Sequence, residues 1–137
     1  MRFAGRVFKS SGLWAIEVPI LDVVTQGHTK KEAFAMIADA VECLVNKKGF
    51  RVEVFPGEGN YFEVDSADQA ALSAFLLRQQ RKRSGMTLVE VARKLGAKSH
   101  NSYARYEQGR AVPTIEQFSK LLSAVSPDRA FVLVERS

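Results

Sequence analysis

A chain of 137 residues with 46% hydrophobic and 26% charged side chains has room for one ordinary domain or two small ones, and its composition is that of a folded globular protein. Apolar runs are interrupted by charge well short of the roughly 18 residues a membrane helix needs, and "MRFAGRVFKS" lacks a signal-peptide pattern, so a membrane protein is excluded and a cytoplasmic location expected. The single cysteine, Cys43, rules out a disulfide within the chain, argues against a metal cluster, and reads as a small core residue on a helix.

The first half reads as strands around one helix. "RFAGRVF" and "LWAIEVP" are rich in β-branched and aromatic residues and are joined by "KSSG", a hairpin turn. Trp14, Ile16 and Val18 alternate with Ala15 and Glu17, which gives one buried face. A third strand runs through "DVVTQ", and Gly27 ends it. In "HTKKEAF", Thr29 and Glu32 have capping-box spacing, so a helix starts there. Phe34, Ile37, Val41 and Leu44 form its apolar stripe, and Lys47, Lys48 and Gly49 close it. "FRVEVF" and "YFEVD" flank the turn "PGEGN", giving the order β-β-β-α-β with a possible fifth strand.

The second half has helical periods. Residues 67–84 place Leu72, Phe75 and Leu76 on one side and end in "RQQRKRSG"; Arg78, Arg81, Lys82 and Arg83 exceed what end-of-helix stabilisation explains, and phosphate contact is expected of them. "MTLVEVARKLG" has Thr87 as N-cap with Glu90 three residues on, an inward face of Leu88, Val91, Ala92 and Leu95, and a stop at Gly96. "SHNSYARYEQG" follows with Ser99 as expected N-cap. "PTIEQFSKLLSAV" carries the stripe Ile115, Phe118, Leu121 and Leu122, and "RAFVLVE" reads as a short strand, a candidate for pairing between subunits or against the sheet.

Charge separates the halves. Residues 1–66 hold 8 Lys+Arg against 9 Asp+Glu, and residues 67–137 hold 12 against 6, so the net positive charge lies entirely in the second half. That asymmetry fits one half facing a polyanion. Two short helices joined at a glycine turn, with small Ala92 at their crossing, match a helix-turn-helix. Tyr103 and Tyr106 can turn inward, which leaves Ser99, His100, Asn101, Ser102 and Arg105 outward for base edges or phosphates, and analogy with the motif adds Lys98 and Arg110 on phosphates.

The run "TLVEVARKLGAKSHNSYARYEQGRAVPTIEQFSKLLSAV" resembles the lambda-repressor or XRE type of helix-turn-helix, through its aromatic-Glu-x-Gly, proline and amphipathic helix. It departs from that pattern at Leu88, where the family often has glutamine, and in a longer turn before Ser99. The first 66 residues resemble the N-terminal domain of HicB-type antitoxins, through "LWAIEVPILDVVTQGHTKKEAFAMIADAVECL"; the usual Leu-Pro-Gly reads Leu21-Asp22-Val23.

The resemblance implies an α+β fold: residues 1–66 a partial ribonuclease-H-like toxin-binding domain, residues 67–137 an all-α helix-turn-helix domain with a short C-terminal strand. It implies a non-catalytic antitoxin that covers a small basic HicA-type ribonuclease and represses its own operon, as a homodimer or higher homo-oligomer on operator DNA. No cofactor is expected. One alternative is a stand-alone regulator whose first domain senses a small molecule. Another is a metal-dependent nuclease using Glu17, Asp22, Asp39 and Glu42, which read better as solvated acids; His28 reads as a loop residue.

Overall fold

The computed structural model describes residues 1–97 and 99–137. The elements are β1 (Phe3–Ser10), β2 (Leu13–Val18), a 3-10 turn (Pro19–Leu21), β3 (Val23–Gly27), α1 (Lys30–Val45), β4 (Glu53–Pro56), β5 (Tyr61–Asp65), α2 (Gln69–Arg83), α3 (Leu88–Lys94), α4 (Asn101–Glu107) and α5 (Ile115–Val125). The chain divides into two compact units, Met1–Leu76 and Leu77–Ser137, and the division falls inside α2.

The first unit is α+β, and the possible fifth strand is present. Its antiparallel sheet has the order β3-β2-β1-β5-β4. Ser11 and Gly12, both at positive φ (52° and 81°), form the two-residue turn that sets Ser10 against Leu13. Ala33, Ile37 and Val41 of α1 are buried on one sheet face together with Val7, Ile16, Val18, Phe62 and Val64. Phe34 meets Phe62 edge-on at 5.5 Å. The close approach of helix and sheet requires Gly27, where a Cβ would lie 2.6 Å from the Ala33 backbone nitrogen.

Local chemistry adjusts several expectations here. Thr29 caps α1 by accepting from the Glu32 N–H at 3.0 Å, but the Glu32 carboxylate turns to His28 Nδ1 at 3.1 Å instead of closing the box. That contact holds the Glu32 carboxyl below its usual range. The helix stops at Asn46, in the left-handed region at φ 51°, ahead of the lysines and Gly49. Cys43 is exposed rather than buried, because it lies two residues past Val41 and so about 200° around the helix from the buried stripe. Glu42 is only partly solvated, since its Oε2 accepts from the Val52 N–H at 2.8 Å.

In the second unit Leu77, Val91, Ala92, Tyr103, Leu121, Ala124 and Val125 form the core. Leu88, Leu95, Tyr106, Phe118 and Leu122 pack around it. Both α3 and α5 begin with complete capping boxes, Thr87 with Glu90 and Thr114 with Gln117. Two expectations fail. Ile115 is 92% exposed, since as the first residue of α5 it precedes the turns that reach the core. The segment "RAFVLVE" is not a strand: a strand needs a ladder partner, and it pairs with no described residue.

Candidate nucleic-acid interface

The recognition surface is built by α3, the turn after it, and α4. Gly96, at φ 73°, permits the reversal that ends α3, and the Ala97 N–H donates to Ala92 O at 2.9 Å. Ala92 and Ala104 are 3% and 6% exposed, and α3 packs on α4. Small side chains at these positions allow a close crossing.

α4 divides its residues sharply. Tyr103, Ala104 and Glu107 are buried, whereas Asn101, Ser102 and Arg105 are exposed, as are Ser99 and His100 just before them. Ser99 is not the N-cap: that position is His100, whose side chain makes no cap bond. The Ser99 hydroxyl nevertheless accepts from the Asn101 N–H at 3.2 Å. Arg110 is exposed, with its guanidinium 3.4 Å from Gln108 Oε1. Its backbone N–H and that of Ala111 both donate to Arg105 O, at 2.9 and 3.2 Å, which ties the loop to the end of α4. Lys98 lies outside the described residues.

What orients this surface is a pair the sequence reading missed. Arg81 Nε donates to Glu107 Oε1 and Oε2 at 3.1 and 2.8 Å, Nη2 donates to Oε1 at 2.6 Å, and Nη1 donates to Met86 O at 2.9 Å. Side-chain exposures of 14% and 6% place the pair largely out of water. Hydrogen bonding to Glu107 raises the Arg81 pKa. Beside it, burial pushes the Tyr103 phenol far up, and the Glu107 charge adds to the shift. Arg81 is therefore not a phosphate contact, because its fork is spent on a carboxylate; Lys82 and Arg83 remain exposed at the end of α2. A signal for the pair was present: Glu107 follows Tyr103 by four residues and shares its inward face.

With that pair neutralised internally, the unit still carries 11 other Lys+Arg against 4 other Asp+Glu. Leu88 packs against the core. The surface thus combines short donors and acceptors at one end of a helix, an outward arginine and a basic surround, which suits base edges and phosphates together.

These features define a helix-turn-helix unit, a class of DNA-binding domain. Residues 74–130 match the helix-turn-helix domain family, and the match points to a DNA-binding regulator. No curated protein matches the chain. Among the described residues no helix is long and apolar enough to cross a membrane.

Proposed function

We propose that the protein is an operator-binding repressor and the antitoxin of a HicAB-like system, acting by binding and not by catalysis. The repressor part is carried by one observation: Asn101, Ser102 and Arg105 lie outward on a helix whose other side is fixed by Tyr103 and the Arg81–Glu107 pair. Ser99, His100 and Asn101 would meet base edges, with Ser102 and Arg105 beside them; Lys98 and Arg110 would hold phosphates. Two half-sites spaced about 34 Å apart would be read by a dimer.

The antitoxin part takes its support from the first unit. The sheet face opposite α1 carries Glu17, Glu53, Glu63 and Asp65 with Phe8, Phe55 and Tyr61, against only Arg2 and Arg6. Acids interleaved with aromatics suit a basic protein partner. In this reading the first unit is the partial ribonuclease-H-like domain of HicB type and its partner a HicA-type toxin. Of the acids weighed for a nuclease, two are engaged within the unit: Glu17 pairs with Arg6 at 2.9 Å, and Glu42 takes the Val52 N–H.

Footprinting of the purified protein on the DNA upstream of its own gene tests the repressor. Protection of a two-part site, lost as salt rises, is the expected result; uniform coverage with no preferred site contradicts it. Co-purification with the product of the adjacent gene tests the antitoxin. A stable complex that includes a small basic ribonuclease supports it, and recovery of the chain alone when both are co-expressed refutes it.

A further inference from the structure

Residues 129–135 follow α5 and form no strand with any described residue. Val132, Leu133 and Val134 are 79%, 88% and 73% exposed. Three consecutive large apolar residues in water are a different matter from a single exposed leucine, because strand geometry sends alternate side chains to opposite faces. Phe131 and Leu133 would share one face, Val132 and Val134 the other. The β-branched and aromatic content favours an extended conformation, and Pro127 separates the segment from α5.

We propose that a second copy of this chain covers the segment, by antiparallel pairing of residues 129–135 about a two-fold axis at Val132. The sequence is self-complementary in that register alone. Val132 meets its own copy, Phe131 meets Leu133, Ala130 meets Val134 and Arg129 meets Glu135, while the next pair outward joins Asp128 to Arg136. Every apolar residue then faces an apolar one, and every cation an acid. A slip of one residue sets Asp128 against Glu135 in one direction and Arg129 against Arg136 in the other; a slip of two sets Glu135 against Pro127 or Phe131. Two-fold symmetry forms each off-axis pair twice, so the charge terms count double. Arg129 is positioned at the root of the segment, where its guanidinium reaches Gln80 Oε1 at 3.5 Å and Ser126 Oγ donates to the same oxygen at 2.7 Å. The pairing supplies the two-fold that the repressor reading needs and rests on that reading for its purpose only.

Sedimentation of the full chain tests it without DNA. A dimer is expected, and Glu135→Arg should raise its dissociation constant about tenfold by turning two attractive pairs into repulsive ones. The double variant R129E/E135R should restore dimerisation to within about threefold. In a Cys43→Ser background, Val132→Cys should form a disulfide dimer on oxidation, and A130C/V134C likewise, since facing Cα atoms in an antiparallel pair lie about 4.5–5.5 Å apart; Ala130→Cys alone should not. Circular dichroism controls for folding, and the variants at 130, 132, 134 and 135, away from the Arg129–Gln80 contact, should leave the helices intact. A monomer at all concentrations, or a dimer indifferent to Glu135→Arg and without these cross-links, overturns the pairing. A dimer that binds no operator would leave the pairing standing and remove the repressor reading instead.

Discussion

Asn101 and Arg110 illustrate at the residue scale how similar exposure can serve different ends. Asn101 is on the outward side of α4, and its amide can donate and accept at once, the pattern an adenine edge presents. Asn101→Ala should cost roughly 1 to 3 kcal/mol on the operator and relax sequence preference. Arg110→Ala should weaken binding to all sequences alike and reduce the salt slope by about 1, measured by fluorescence anisotropy. Equal losses by both variants on specific and random duplexes would show the roles to be misassigned. Inside the unit, Glu107→Gln leaves the Arg81 guanidinium largely buried without its counter-charge, and a loss of about 2 to 4 kcal/mol in urea unfolding is expected. Tyr103 makes the unit sensitive to alkali. Its phenol stays neutral when folded but titrates near its ordinary value of 10.0 when unfolded, so stability is intact below that pH and falls above it. The absorbance step at 295 nm that disappears in Tyr103→Phe should coincide with unfolding. The outward residues were legible because four short polar side chains in succession do not suit a core. The Arg81–Glu107 pair was not, because charge at the end of a helix has two uses and only the fold distinguishes them.

Most element starts were legible where local chemistry sets them. The first hairpin and the starts of α1 and α3 follow from glycine and cap residues, whose effects reach only a few positions along the chain, while the cap of α4 and the end of α1 were misplaced. Thr114 with Gln117 is a further box of the same spacing as Thr87 with Glu90, and Thr114→Ala should cost about 1 kcal/mol in thermal unfolding, with α5 fraying first by hydrogen exchange. A loss as large as that of a core deletion would mean that Thr114 does more than cap. Where tertiary packing decides, the reading failed. Helical spacing alone could not show that Ile115 stands before the packed turns of α5, whereas the outward Cys43 was within its reach, about 200° around α1 from Val41. Likewise "RAFVLVE" has strand composition without a strand, because a partner for the ladder is not a property of the segment. In the first unit, Gly27→Ala would drive a methyl group into the Ala33 backbone 2.6 Å away, which should destabilise the sheet–helix contact by about 1 to 3 kcal/mol.

For the whole molecule, charge separates function more clearly than hydrophobicity does. The basic excess belongs to the helical unit, and the first unit is close to neutral, with Glu17, Glu53, Glu63 and Asp65 on the sheet face opposite α1. The basic unit suits a polyanion such as DNA, and a basic protein partner for the first unit belongs to the proposed antitoxin reading. Operator recognition depends on the outer side of α4 reading sequence. The most direct measurement is the ratio of Kd on scrambled duplex to Kd on the footprinted site, at one fixed salt concentration, for the native chain and for Asn101→Ala. The account predicts a ratio of at least about 10³ for the native chain, reduced by ten- to a hundredfold in the variant. A ratio near one for the native chain, or one that the substitution leaves unchanged, would contradict it.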